Sequence, residues 1–173
     1  WRREGVDTSH VVVEGGAFTG VYFISIRDGG EHDFTYYRKD SAASHLSPED
    51  VDPECVRRAR VFHSSGISQA ISDSCREAVF KAVEIAKSAG RMFSYDPNIR
   101  LKLWSIETAR AVVSHTIGMA DIVMPSMEDA KLITGHSSFE EAAREIMKMG
   151  PKIVAIKLGA EGCFVMTEER TIR

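Results

Sequence analysis

From Val61 onward the chain alternates short apolar runs of strand type with amphipathic helical stretches, and this alternation limits the fold more than any other feature. Val61-Phe62-His63-Ser64 reads as a strand that ends at Ser65-Gly66. Ser74-x-x-Glu77 has the spacing of a capping box, and it opens a helix with Val79, Ala82, Val83 and Ala86 on one face, stopped by Gly90. Met92-Phe93-Ser94-Tyr95 is the next strand, closed by Asp96-Pro97-Asn98 because proline cannot continue a central ladder. The spacing then predicts a helix over 107–119, a strand over 121–124, and a short helix capped by Ser126 and running to about Thr134. Ser138-x-x-Glu141 opens a further helix with Phe139, Ala142, Ala143 and Ile146 inward, before strands at 152–157 and 163–167. Repeated strand–helix units of this kind imply an α/β fold with a parallel sheet in three layers.

The first forty residues read differently. Val11-Val12-Val13, the run 21–26 and Phe34-Thr35-Tyr36-Tyr37 are rich in β-branched and aromatic residues, with Asp28-Gly29-Gly30 marking a hairpin between the last two. An odd loop such as Gly29-Gly30-Glu31 sets Ile26 opposite Phe34, Ile24 opposite Tyr36 and Tyr22 opposite Arg38. Tyr22, Tyr36 and Arg38 then share a face; an even loop would separate Tyr22 from the other two. Residues 39–60, with two prolines, read as a connection containing a short helix. The organisation expected is thus a β lid and its entry over 1–45 and an α/β core over 46–173.

At 173 residues and 43% hydrophobic content, the chain can bury a substantial core. Its formal charge of -3 provides no broad positive field, which argues against nucleic acid, so any anion must be held by a local group of cations. No apolar run approaches the roughly 18 residues needed to span a bilayer, and the expected location is the cytoplasm. Three widely spaced cysteines and six scattered histidines make no zinc pattern, and the thiols read as reduced and mostly structural.

In open α/β sheets ligands bind at the carboxyl ends of the strands. Three such ends are distinctive: Asp96-Pro97-Asn98-Ile99-Arg100, Pro125-Ser126-Met127-Glu128-Asp129 and Lys157-Leu158-Gly159-Ala160-Glu161-Gly162. Arg100 offers a fork of donors suited to a carboxylate or phosphate, or else begins a solvated surface after a plain Asp-Pro-Asn turn. The glycines of 157–162 let backbone amides approach an anion beside the Lys157 charge, or else make a bare turn between two strands. Tyr36 and Arg38 suit a polyhydroxy acid if Tyr22 joins them, or else form an exposed strand face. Glu128 and Asp129 could assist magnesium through water, or act as partners of a helix dipole. Neither a P-loop nor a GxGxxG pattern is present.

Taken in order, Gly5-Val6-Asp7-Thr8-Ser9-His10-Val11, Thr19-Gly20-Val21-Tyr22, Tyr36-Tyr37-Arg38-Lys39, Asp96-Pro97-Asn98-Ile99-Arg100 with Leu103-Trp104, and the 157–162 segment resemble the PfkB (ribokinase-like) carbohydrate kinases. The YYR and DPNxRxxLW segments are most similar to the 2-keto-3-deoxygluconate kinases within that family. The resemblance implies a ribokinase-like partial domain with a small β lid, using ATP and Mg²⁺ to phosphorylate a sugar acid. It further implies that Tyr22, Tyr36, Arg38 and Arg100 contact the sugar acid, that Asn98 and Arg100 reach toward the nucleotide phosphates, and that Lys157, Gly159, Ala160, Glu161 and Gly162 line the ATP site. The unpaired edges of lid strands also point to a homo-oligomer. Two departures stand out. Ser126 and Asp129 replace the family's usual asparagine and glutamate, and the GAGD-type motif carrying the family's catalytic aspartate does not occur before Arg173, so both ends of the domain are expected to lie outside this sequence and this segment alone should be inactive.

Overall fold

The computed structural model describes residues 1–26 and 32–173. A two-stranded antiparallel hairpin stands apart from a six-stranded sheet. The hairpin comprises β1 (Val21–Ile26) and β2 (His32–Tyr37). The expected hairpin turn at Asp28-Gly29-Gly30 lies outside the described residues. In the large sheet, β3 (Val61–Ser65), β4 (Met92–Asp96), β5 (Ile122–Val123) and β6 (Ile153–Lys157) run parallel and adjacent in chain order. The predicted parallel arrangement stops there: β7 (Cys163–Thr167) and β8 (Thr171–Ile172) are antiparallel, making the sheet mixed. The connection 158–162 is too short for the crossover that a parallel neighbour requires.

Helices fill the crossovers. A short α1 (Pro53–Arg58) precedes β3; α2 (Gly66–Ala70) and α3 (Asp73–Ser88) lie between β3 and β4; α4 (Ile106–Met119) leads to β5; α5 (Met127–Thr134) and α6 (Phe139–Met147) lead to β6. Side-chain caps set several of these starts. Ser126 and Asp129 form a reciprocal capping box on α5, and Ser138 accepts the Glu141 amide on α6. The start of α3 differs from expectation: Ser72 rather than Ser74 is the cap, because its hydroxyl accepts the Cys75 amide at 3.1 Å. Gly90 closes α3 as expected, with φ of 66°.

One sheet face is apolar and covered. Phe93 and Tyr95 of β4, Val123 of β5, Val154 and Ile156 of β6, and Phe164 and Met166 of β7 lie in register on it. They share one buried cluster with Val79 and Val83 of α3, Val113 and Ile117 of α4, Ala130 of α5 and Ile146 of α6. Right-handed crossovers between strands that progress in one direction put every connecting helix on the same side. The described residues therefore supply the sheet and one helical layer, while Val61 and Met92 on the opposite face remain 40% and 43% exposed. Burying one side chain such as Phe93 stabilises by about 1.5–3 kcal/mol, so this single cluster dominates the fold.

Val11-Val12-Val13 is not a strand: all three residues are exposed and outside any ladder. β propensity alone cannot hold an extended segment whose backbone has no pairing partner. No helix among the described residues is long and apolar enough to cross a membrane.

Candidate functional site

The carboxyl ends of β4, β5 and β6 meet as the sequence predicts. Lys157 at the end of β6 donates through Nζ to Asp96 Oδ2 at the end of β4, at 2.6 Å. Its amide donates to the Pro125 carbonyl at 2.8 Å, beside the bridge between Ser126 and Lys157. Asp129 joins the third segment: Oδ1 accepts the Ile99 amide at 2.9 Å, while Oδ2 accepts the Ser126 hydroxyl at 2.8 Å and its amide at 3.1 Å. Asp129 is 4% exposed. Its carboxylate acts as a clasp between the turn after β4 and the start of α5.

The Asp96-Pro97-Asn98 turn has a steric basis. Gly66, the first residue of α2, lies so close that a Cβ there would stand 2.0 Å from the Pro97 carbonyl oxygen. Asn98 then takes φ of 39°, a left-handed conformation that asparagine tolerates better than most residues. Below the turn, the Tyr95 hydroxyl donates to Gln69 Oε1 at 2.7 Å, and Gln69 Nε2 donates to Thr116 at 3.0 Å. Burial pushes the Tyr95 phenol well above its ordinary value, so it remains a neutral donor in this network.

On the nucleotide-site candidate, Ser126, Glu128, Phe139, Lys157, Gly159 and Glu161 border a cleft of about 480 Å³. Gly159 (φ 62°) and Gly162 (φ 91°) occupy left-handed conformations, and Leu158 donates to the Gly162 carbonyl at 2.9 Å to close the turn. Lys157, Gly159 and Glu161 therefore face one cleft, whereas Ala160, Gly162, Asn98 and Arg100 are not on its wall. Two charges here are already partnered: Lys157 with Asp96, and Glu161 with Arg173 at 2.8 Å.

The hairpin gives the second group. Tyr22 stands opposite Tyr36, and Ile24 opposite Phe34, so the register is displaced by two residues from the expected one. Side-chain direction repeats every two residues, so the displacement leaves Tyr22 and Tyr36 on one face, with ring centroids 6.3 Å apart. Phe34 completes that aromatic face at 6.0 Å from Tyr22. Arg38, two residues beyond Tyr36, is half-buried, and its Nε is buried with no hydrogen-bond partner. Gly20 makes room for it: a Cβ at that position would lie 3.1 Å from Arg38 Cβ. Tyr36, Arg38 and Lys39 from the lid face Lys102, Leu103 and Ile71 from the core across a cleft of about 380 Å³. Tyr22 and Arg100 do not line it; Arg100 Nη1 donates to the Ile99 carbonyl at 3.0 Å.

No group of three or more His, Cys, Asp or Glu side chains suited to a metal gathers among the described residues. Asp129 meets three donors with its two oxygens, the Ile99 amide and the Ser126 amide and hydroxyl. Glu128 is exposed on the wall of the larger of these two clefts.

Some polar atoms at the sheet edge escaped the sequence reading. Ser65 and Asp96 are register partners on β3 and β4, and Ser65 Oγ and Asp96 Oδ1 are both buried without a partner. Their positions at strand ends were a usable signal. Lys102 carried none, because its hairpin contact is 69 residues away in sequence.

Comparison with known proteins fits this geometry. Residues 1–173 match the description "pfkB family carbohydrate kinase". The chain belongs to that family. Fructokinase-1 of Zea mays is 39% identical over 164 residues, covering 94% of this chain and 50% of that protein. The 2-dehydro-3-deoxygluconokinase of Thermoproteus tenax is 38% identical over 168 residues, covering 95% and 50%. Among solved structures, a PfkB protein from Polaromonas sp. JS666 superposes with a TM-score of 0.90 at 36% identity, over 99% of this chain and 58% of that one. A putative ribokinase II from E. coli in complex with ATP and Mg²⁺ gives 0.79 at 31% identity, over 91% and 50%. The chain spans about half the length of the curated relatives it matches.

Proposed function

We propose that the complete gene product transfers the γ-phosphoryl group of ATP, with Mg²⁺, to a hydroxyl of a sugar acid, most specifically 2-keto-3-deoxygluconate. The observation that carries this reading is the lid cleft, where Arg38 and Lys39 place two cations beside Tyr36 in a protein of net negative charge, Lys102 on the far wall being paired with Asp33. A carboxylate matches such a group, and the unpartnered Arg38 Nε is a donor in search of an acceptor. A neutral hexose offers the guanidinium no charge to meet.

In this reading the chain's own residues bind and orient. Tyr36 and Arg38 hold the acidic acceptor, assisted by Tyr22 and Arg100 once substrate is present. Lys157 and the glycine turn of 159–162 face the nucleotide, with Asn98 near its phosphates. Bound magnesium neutralises charge on the phosphates, and Glu128 is the residue suited to meet its water shell. The exposed apolar faces of the hairpin, with Phe23 59% and Ile26 73% exposed, favour burial against a second copy.

Fructokinase relatives at 39% identity support a second reading, in which the acceptor is fructose. A coupled ATP assay on both sugars separates them. Turnover confined to the keto acid upholds the first; turnover on fructose alone replaces it.

A further inference from the structure

The hairpin of β1 and β2 cannot hold its own position. Every residue of β1 is exposed, and an isolated two-stranded hairpin is marginal in water. Yet the lid cleft exists only while the hairpin is docked, because Tyr36 and Arg38 come from one side and Lys102 and Leu103 from the other.

Lys102 spans that gap. Its Nζ donates to the Phe34 carbonyl at 2.7 Å and pairs with the Asp33 carboxylate, so it meets both the backbone and a side chain of β2. An exposed ion pair alone contributes little, but a second, charge-assisted bond to a strand carbonyl fixes both distance and direction. The anchor on the core side is firm. Ile99 is 6% exposed with its amide held by Asp129, Leu103 closes a turn onto the Arg100 carbonyl at 2.8 Å, and Trp104 packs against the main core cluster. Lys102 thus projects from a rigid loop whose other end is clasped to the start of α5, the helix beside the nucleotide cleft.

We propose that Lys102 is a positioning residue, latching the hairpin to the core so that Tyr36 and Arg38 are held at working distance from the rest of the sugar site. Lys102 acts through Arg38 and Tyr36, setting where they stand. The inference about catalysis rests on the sugar-kinase reading above; the latch itself does not.

The test uses the complete gene product with Lys102→Met and Lys102→Arg. In the absence of ligands, hydrogen exchange of the β2 amides should accelerate about five- to ten-fold in Lys102→Met, with exchange in β4 and β6 unchanged. Lys102→Arg, which can still donate to both oxygens, should restore the wild-type rate. In steady-state kinetics, Lys102→Met should raise KM for the sugar acceptor about ten-fold while leaving KM for ATP within about two-fold. Unchanged β2 exchange in Lys102→Met overturns the latch, and a sugar KM unaltered beside a fallen kcat overturns the positioning role. Faster β2 exchange in a protein that phosphorylates no sugar supports the latch and overturns the kinase reading instead. Faster exchange in β4 and β6 as well would mark a general loss of structure and also overturn the positioning role.

Discussion

Replacing Asp129 with alanine should unfold the clasp between the turn after β4 and the start of α5, and its cost can be worked from the contacts. The carboxylate supplies one half of the α5 capping box by accepting the Ser126 amide and hydroxyl, and loss of such a cap costs about 1 kcal/mol. It also accepts the buried Ile99 amide at 2.9 Å, and a buried donor left without a partner costs about 1–3 kcal/mol. The two contributions together predict a loss of about 2–4 kcal/mol. Urea denaturation of wild type, Asp129→Ala and Asp129→Asn would measure it. The asparagine variant keeps one acceptor oxygen for Ile99 but turns an amide nitrogen toward Ser126, so it should fall between the other two. An Asp129→Ala protein with an unshifted urea midpoint but an altered magnesium dependence would refute this reasoning, making Asp129 a metal-linked residue rather than a clasp.

Three further outcomes are expected. Gly66→Ala forces a methyl against the Pro97 carbonyl and should cost about 2–3 kcal/mol in the same assay, with the turn at Asn98 displaced. Tyr95→Phe leaves Gln69 Oε1 without its donor in a dry network and should cost about 1–3 kcal/mol. Burial pushes the Asp121 carboxyl up, but the Phe93 amide and the Lys87 ammonium outweigh it and hold the group below its ordinary value. A depressed carboxylate stabilises above its unfolded pKa, and that contribution disappears as pH falls through the folded one. Asp121→Asn should therefore be less stable than wild type near neutral pH, with the gap narrowing as pH falls below the ordinary aspartate range, as read from urea midpoints along that descent.

Most of the core was legible because its signals are local. The periodicity over 79–86 and 139–146 names the residues that the helices bury, and Ser126 and Ser138 mark helix starts by type and spacing. Ser72 prevailed over Ser74 because either serine satisfies the local rule and only tertiary contacts choose between them; Ser72 also donates to the Ser44 carbonyl at 2.7 Å. The antiparallel β7 was readable in principle from the short glycine turn, since a tight connection excludes a crossover. Val11-Val12-Val13 misled because strand propensity says nothing about whether a partner backbone is present.

For the candidate site, residue types at strand ends pointed to the edge where Asp96, Asp129 and Lys157 meet, but their pairing was hidden. Nothing in the sequence says that Lys157 spends its charge on Asp96, or that Asp129 is consumed by Ile99 and Ser126. The alternation of strands placed Tyr22 and Tyr36 on one face despite a displaced register, because a slip of two residues preserves every side-chain direction. Lys102 joins segments distant in sequence, and such a contact leaves no trace in local pattern.

The central claim is tested most directly by coupled ATP turnover of the complete gene product on 2-keto-3-deoxygluconate and on fructose, with Arg38→Ala beside wild type. The account predicts turnover of the keto acid alone, with kcat/KM reduced at least about 100-fold in Arg38→Ala, as expected for a lost charge-assisted contact to a carboxylate. Equal turnover of fructose, or a keto-acid rate indifferent to Arg38, would contradict it.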